Sequence, residues 1–180
     1  MIEAKKGSPL TISDQKRGIQ VKKTSVLFLC IHNSARSQMA EGLLRRLYSD
    51  KYEAYSAGAT PTGVHPLAVL VMVEIGIDIS GQYSKSIEDF RGRDVDLVVT
   101  VCKRTLKLSC PFCSSPGAVG MPRIIRETIP GAKRFVEHGF SDPSDVEGSE
   151  EEILTAFRCT RNEIREWIQD YFFKRAGIGG

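Results

Sequence analysis

The residues best suited to chemistry stand in one short run, Cys30-Ile31-His32-Asn33-Ser34-Ala35-Arg36-Ser37. Five residues separate the cysteine from Arg36. A loop of that length can wrap until its backbone N–H groups converge on one point, and a helix starting behind it adds partial positive charge. A tetrahedral oxyanion fits such a cradle. The candidates for holding it are Ile31, His32, Asn33, Ser34, Ala35, Arg36 and Ser37, with Arg36 offering a planar fork of donors to two oxygens. Cys30, beneath the cradle, is the candidate nucleophile, because donors that hold an oxyanion also favour a thiolate, the attacking form of sulfur. Ser37 can donate a hydrogen bond to that sulfur, and Asn33 suits a left-handed turn of the backbone. The plain alternative is a cysteine that ends a buried strand beside a surface arginine.

The elements around the run decide between these readings. Val26-Leu27-Phe28-Leu29 is a continuous apolar run, as expected of a strand buried on both faces of a parallel sheet. A helical stripe follows at once, Met39, Ala40, Leu43, Leu44 and Leu47, with Glu41, Arg45 and Arg46 off it. The cysteine loop thus falls at a strand-to-helix turn, where open α/β sheets bind ligands. Further strands are expected over 52–56, 95–101 and, weakly, 135–137. A helix is expected from Pro66 to Ile75, stopped by Gly76. Ser149 and Glu152 have capping-box spacing ahead of a long amphipathic helix through Ile153, Phe157, Ile164, Trp167, Ile168 and Phe172. Strands alternating with helices predict an α/β fold with a four-stranded parallel sheet flanked by helices.

Two segments stand outside this pattern. Residues 1–23 are polar and lack a sustained period, as expected of a flexible N-terminal extension to a domain over 24–176. Residues 103–133 hold Pro111, Pro116, Gly117, Gly120, Pro122, Pro130 and Gly131, and read as a long loop insertion.

Composition narrows the function classes. The chain has 180 residues, 41% hydrophobic and 26% charged, enough for one domain with its own core. Net charge is +3, too balanced for a nucleic-acid footprint. No apolar run is long enough to cross a membrane. Met1 to Lys6 carry no apolar stretch, so no export signal is expected. Five cysteines are too few for a disulfide scaffold and odd in number, so they are expected to serve chemistry in the cytoplasm. Cys110-Pro111-Phe112-Cys113 is a single Cys-x-x-Cys pair. A structural zinc using Cys102, Cys110 and Cys113 lacks a second pair at finger spacing, and no metal site is expected.

The stretch from Val26 to Gly42 resembles the low-molecular-weight tyrosine phosphatase superfamily, and more narrowly the thioredoxin-coupled arsenate reductases of that fold. Four further stretches agree in order: Tyr55-Ser56-Ala57-Gly58, Ile77-Asp78-Ile79-Ser80, Asp96 to Cys102, and Gly139-Phe140-Ser141-Asp142-Pro143. The resemblance covers about residues 24–173. It implies that Asp142, an aspartate before proline, is the general acid; by itself Asp142-Pro143 is also an ordinary turn. Tyrosine phosphatases of this type usually carry proline after the Arg-Ser pair and aromatics after Asp-Pro. This chain has Gln38 and Ser144 there, together with Cys102 and Cys110.

The resemblance therefore implies reduction of arsenate, with phosphate as a competing oxyanion and no cofactor in the protein. Cys30 attacks, Asp142 protonates the departing oxygen, Cys102 takes the sulfur, and Cys110 carries the disulfide out to thioredoxin. Cys113 is a possible alternative resolving thiol. The alternatives are a low-molecular-weight protein tyrosine phosphatase and a non-catalytic oxyanion sensor. Some family members hold potassium at positions matching Asn33, Glu41 and Ser56. Lys85 stands where a further aspartate ligand would be, and its ammonium competes with a cation. Cys159 reads as an exposed bystander, His32 as rim, and His65 as structural. His138 is near enough in sequence to Asp142 to border the pocket.

Overall fold

The computed structural model describes residues 22–103, 111–112 and 120–176. The N-terminal extension through residue 21 and both Cys110 and Cys113 lie outside the described residues.

Four strands form one parallel sheet: β1 Thr24–Cys30, β2 Tyr52–Gly58, β3 Leu97–Cys102 and β4 Arg134–Phe140, in the order β2-β1-β3-β4. Val26 to Cys30 are buried, and so is every residue of β3, which is why both read as unbroken apolar runs. β4 is a sheet edge and mostly exposed or half-buried, which explains its weak sequence signal; it is also longer than the three residues expected. The chain leaves β1 for β2 on one side and later returns to β3 on the other. The carboxyl end of β1 is therefore a topological switch point.

Helix α1, Arg36–Tyr48, buries Met39, Ala40, Leu43 and Leu44 completely. Glu41, expected on the polar side, is instead 1% exposed, because it turns into a polar cluster beneath the cysteine loop. Helix α2, Pro66–Val73, ends two residues earlier than expected. Gly76, at φ 73°, performs the stop: its N–H donates to Val73 O, and Ile77 N–H donates to Met72 O. Helix α4, Glu150–Ala176, begins with the expected box, Ser149 N–H donating to Glu152 Oε2 at 2.8 Å. It buries Phe157, Ile164, Ile168 and Phe172 and packs against α1 and α2.

The long loop expected over 103–133 is not wholly irregular. Helix α3, Arg123–Thr128, lies within it and anchors itself by Ile125 and Ile129, both fully buried. Its six residues hold only the adjacent pair Ile124 and Ile125 as apolar positions, too few to register as a period, which hid this helix in the sequence. At the other end of the sheet, Asp96 ties three strands together. Its Oδ2 accepts from Ser25 N–H and Oγ–H at 2.9 Å, and Lys133 Nζ donates to Oδ1 at 2.6 Å.

Candidate active site

Residues 30–36 join β1 to α1 and wrap tightly. Neighbours collect the loop's carbonyls from outside. Ile31 O accepts from Thr60 N–H at 2.9 Å, His32 O from Thr62 N–H at 3.2 Å, and Ser34 O from His65 N–H at 3.0 Å. Asn33 O accepts from Ser84 Oγ at 2.6 Å and Gln38 Nε2 at 3.0 Å. Carbonyls drawn outward leave the amide N–H groups to line the interior, as an anion cradle requires. Asn33, at φ 47°, is the one described non-glycine residue with positive φ, and asparagine tolerates that turn.

Cys30 is 2% exposed. Its sulfur accepts from Asn33 N–H at 3.1 Å and lies 2.9 Å from Ser37 Oγ. Ser37 Oγ already accepts from Asn33 Nδ2 at 2.8 Å, so its own hydrogen is free to point at the sulfur. The same Nδ2 donates to Ser56 Oγ at 2.9 Å, and Ser56 in turn donates to Glu41 Oε2 at 2.5 Å. Asn33 Oδ1 accepts from Lys85 N–H at 2.7 Å and Gln38 Nε2 at 3.0 Å. Every polar atom of the Asn33 side chain is thus used, which makes it the hub of the loop. Asn33, Glu41 and Ser56, the positions weighed for potassium, do come together. Lys85 Nζ sits beside them, 3.3 Å from Glu41 Oε2 and 2.9 Å from Tyr83 O.

Arg36 is 6% exposed; its Nη1 donates to Phe140 O at 3.3 Å and its Nη2 pairs with Asp142. Asp142 caps a short 3₁₀ turn, Pro143–Asp145, by accepting from Ser144 N–H at 3.1 Å. Turn and ion pair are therefore both present. Cys30, Arg36, His65, Asp142 and Asp145 share the wall of one cavity of about 340 Å³. Two larger clefts, of about 870 and 860 Å³, lie away from the thiol, so size alone does not locate the chemistry.

Cys102 ends β3, two residues beyond Thr100, the register partner of Leu29. Cys30 and Cys102 therefore close adjacent central strands at the same, carboxyl, end of the sheet, and both are buried. Cys159 is exposed on α4. His32 is exposed, with Nδ1 3.4 Å from Thr60 O, as a rim residue would be. His138 does not line the cavity; it stacks on Trp167 at 4.9 Å, and burial lowers its pKa. His65 does line it, a position its loop context did not reveal. Gln38 is a further positioning residue, fully buried and joined to Asn33, Tyr83 and Gln82. Its sequence signal was only the missing proline.

A parallel sheet with a cysteine-arginine loop at its switch point and an aspartate across the cavity is an arrangement suited to cysteine chemistry on a tetrahedral oxyanion. The chain belongs to the low-molecular-weight phosphotyrosine protein phosphatase family, whose model matches residues 25–176. It is 39% identical over 151 residues to an arsenate reductase of Halalkalibacterium halodurans, covering 84% of this chain and 96% of that one. Among solved structures it is similar to an arsenate reductase in its phosphate-binding state. The TM-score there is 0.60 and the identity 32%, over 84% of this chain and 98% of that one. A low-molecular-weight protein tyrosine phosphatase from T. tengcongensis shares the fold at TM-score 0.60 and 26% identity, over 84% and 99% of the two chains.

Proposed function

We propose that the protein reduces arsenate to arsenite by a relay of cysteines recharged by thioredoxin. The observation that carries the reading is the pair of buried thiols, Cys30 at the start of the loop and Cys102 on the neighbouring strand, at the same end of the sheet. A hydrolase of this fold needs only the first. The arsenate reductases among its relatives support the same reading.

The loop amides and Arg36 hold arsenate above Cys30. The thiolate attacks arsenic and forms an S–As bond. One arsenic–oxygen bond breaks, and Asp142 supplies the proton with which that oxygen leaves as water. The Cys102 thiolate then attacks the Cys30 sulfur. The S–As electron pair stays on arsenic, which departs as arsenite, and a Cys30–Cys102 disulfide remains. Two thiols have supplied the two electrons. Cys110 next attacks Cys102, frees Cys30 and leaves Cys102–Cys110 for thioredoxin to reduce; Cys113 is the alternative for that last step. In-line attack at each sulfur requires the segment after Cys102 to move.

The test is turnover of arsenate with thioredoxin, thioredoxin reductase and NADPH. Steady NADPH oxidation that depends on all three proteins supports the reading. Turnover with glutaredoxin in their place changes only the donor. Phosphate release from a phosphomonoester without reductant, and no arsenate-dependent oxidation, assigns the phosphatase reaction instead. Neither activity assigns a sensor.

A further inference from the structure

His65 is among the side chains of the cavity above Cys30 that have no part in the relay. His65 lines that cavity with Arg36 and Asp142, and its position is fixed from three sides. Its backbone N–H donates to Ser34 O of the cysteine loop at 3.0 Å. Its Nδ1 accepts from Leu67 N–H at 3.1 Å and so caps α2. Its ring packs on Phe157 of α4 with centroids 4.6 Å apart.

The cap determines where the proton sits. An imidazole nitrogen that accepts an N–H bond carries no hydrogen, so the neutral ring bears its proton on Nε2. The bond from Leu67 is the one side-chain hydrogen bond of His65 among the described residues, so Nε2–H is left over as a donor. Burial pushes the His65 pKa down, with Asp142 countering in part, which favours the neutral ring. A protonated ring would surrender the cap, because Nδ1–H would face Leu67 N–H.

We propose that His65 donates its Nε2–H to the oxyanion held over Cys30, as a neutral imidazole whose tautomer is set by the α2 cap. The proposal rests on the oxyanion-site reading above and adds a donor from outside the loop. The need for one is chemical. The loop amides and Arg36 serve the inner oxygens. Asp145, which lines the same cavity, offers only acceptors when ionised, and the one proton of Asp142 goes to the departing oxygen, so neither serves the remaining outer oxygen. His65 provides a donor beside them without adding a second buried cation to Arg36. The ligand class is a tetrahedral oxyanion of phosphate or arsenate size.

Inorganic phosphate is the probe. His65→Ser retains a hydroxyl able to cap Leu67 N–H and removes Nε2–H. A lost hydrogen bond to an anion predicts a phosphate Kd raised roughly tenfold by calorimetry. In the wild-type protein, long-range proton–nitrogen NMR should show the Nε2–H tautomer, and saturating phosphate should move that proton downfield and slow its exchange. A Nδ1–H tautomer, a His65 signal unmoved by phosphate, or a folded His65→Ser variant that binds phosphate as tightly as wild type overturns the proposal. If the variant does not fold, the wild-type spectra decide alone. Neither readout uses arsenate turnover. Arsenate reduction with an unmoved His65 removes the donor role and keeps the reductase; a phosphate-linked shift without turnover keeps the donor role and removes the reductase. A wild-type protein that binds no phosphate removes both.

Discussion

Arg36 and Asp142 are joined as an ion pair in the wall of the cavity that also holds Cys30, their side chains 7% and 18% exposed. Asp142 holds Nη2 and so competes with a bound oxyanion for Arg36. In the reaction proposed above, the carboxyl group released in that competition is the acid for the departing oxygen, so that binding substrate and placing the acid would be one event. Asp142→Asn should keep or tighten phosphate binding, since a competitor for Arg36 is weakened, while kcat falls about a hundredfold or more. Arg36→Lys keeps the charge but loses the fork, and should raise the phosphate Kd at least roughly tenfold. Calorimetry with steady-state kinetics separates the two; equal loss of binding in both variants contradicts the separate roles.

The parts of this site legible in the sequence were those whose pattern is local. Cys30 and Arg36 lie on one loop, and the apolar runs of β1 and β3 mark their own burial. The illegible parts depend on contacts far along the chain. Glu41 lies off the apolar stripe of α1, yet it is buried because Ser56 and Lys85 meet it from β2 and the segment beyond α2. His65 reads as a loop residue because nothing nearby shows that Ser34 and Phe157 hold it in the cavity. Outside the site the same holds for Arg161, polar by type but 7% exposed, since its Nη1 donates to Val71 O at 2.6 Å, ninety positions away.

Asn33 serves the loop twice, by its backbone at φ 47° and by its side chain. Asn33→Gly preserves the first role alone, and Asn33→Ala preserves neither. Both variants should lose most arsenate turnover, because Ser37 is no longer held to donate to sulfur. Asn33→Ala should also be the less stable, by about 1 kcal/mol, in urea unfolding. Full activity in Asn33→Gly would show that the side-chain hub is dispensable.

Gly58 has no room for a side chain. A Cβ there would lie 2.7 Å from Ile31 O and 2.8 Å from Asn33 N, both backbone atoms of the loop. Gly58→Ala must therefore push the cradle out of shape, with a stability loss of about 1–3 kcal/mol and a larger loss of phosphate affinity. Gly81→Ala, where a Cβ meets nothing within 4 Å, is the control and should bind phosphate as wild type does. Phosphate calorimetry on the pair checks this.

Asp96 should give the fold a specific acid sensitivity. Lys133 first, then Ser25, hold its pKa at about 2, against 3.8 for the ordinary carboxyl. A carboxylate with a depressed folded pKa stabilises the fold fully above its unfolded value and loses that contribution as pH falls through the folded one. The contribution should thus be complete above about pH 5 and fade between pH 4 and 2. Asp96→Asn should lower stability at pH 7 and flatten its fall over that window, as read by denaturant unfolding at several pH values. An unchanged slope contradicts the assignment.

The proposed relay stands on one step, in which Cys30 passes its bond to Cys102. The Cys110→Ser variant should be reduced, mixed with one equivalent of arsenate, quenched by alkylation and mapped by mass spectrometry. One arsenite per chain is expected, with a Cys30–Cys102 disulfide that persists. Release of arsenite with Cys30 and Cys102 both alkylated, or a disulfide that omits Cys30, would contradict it.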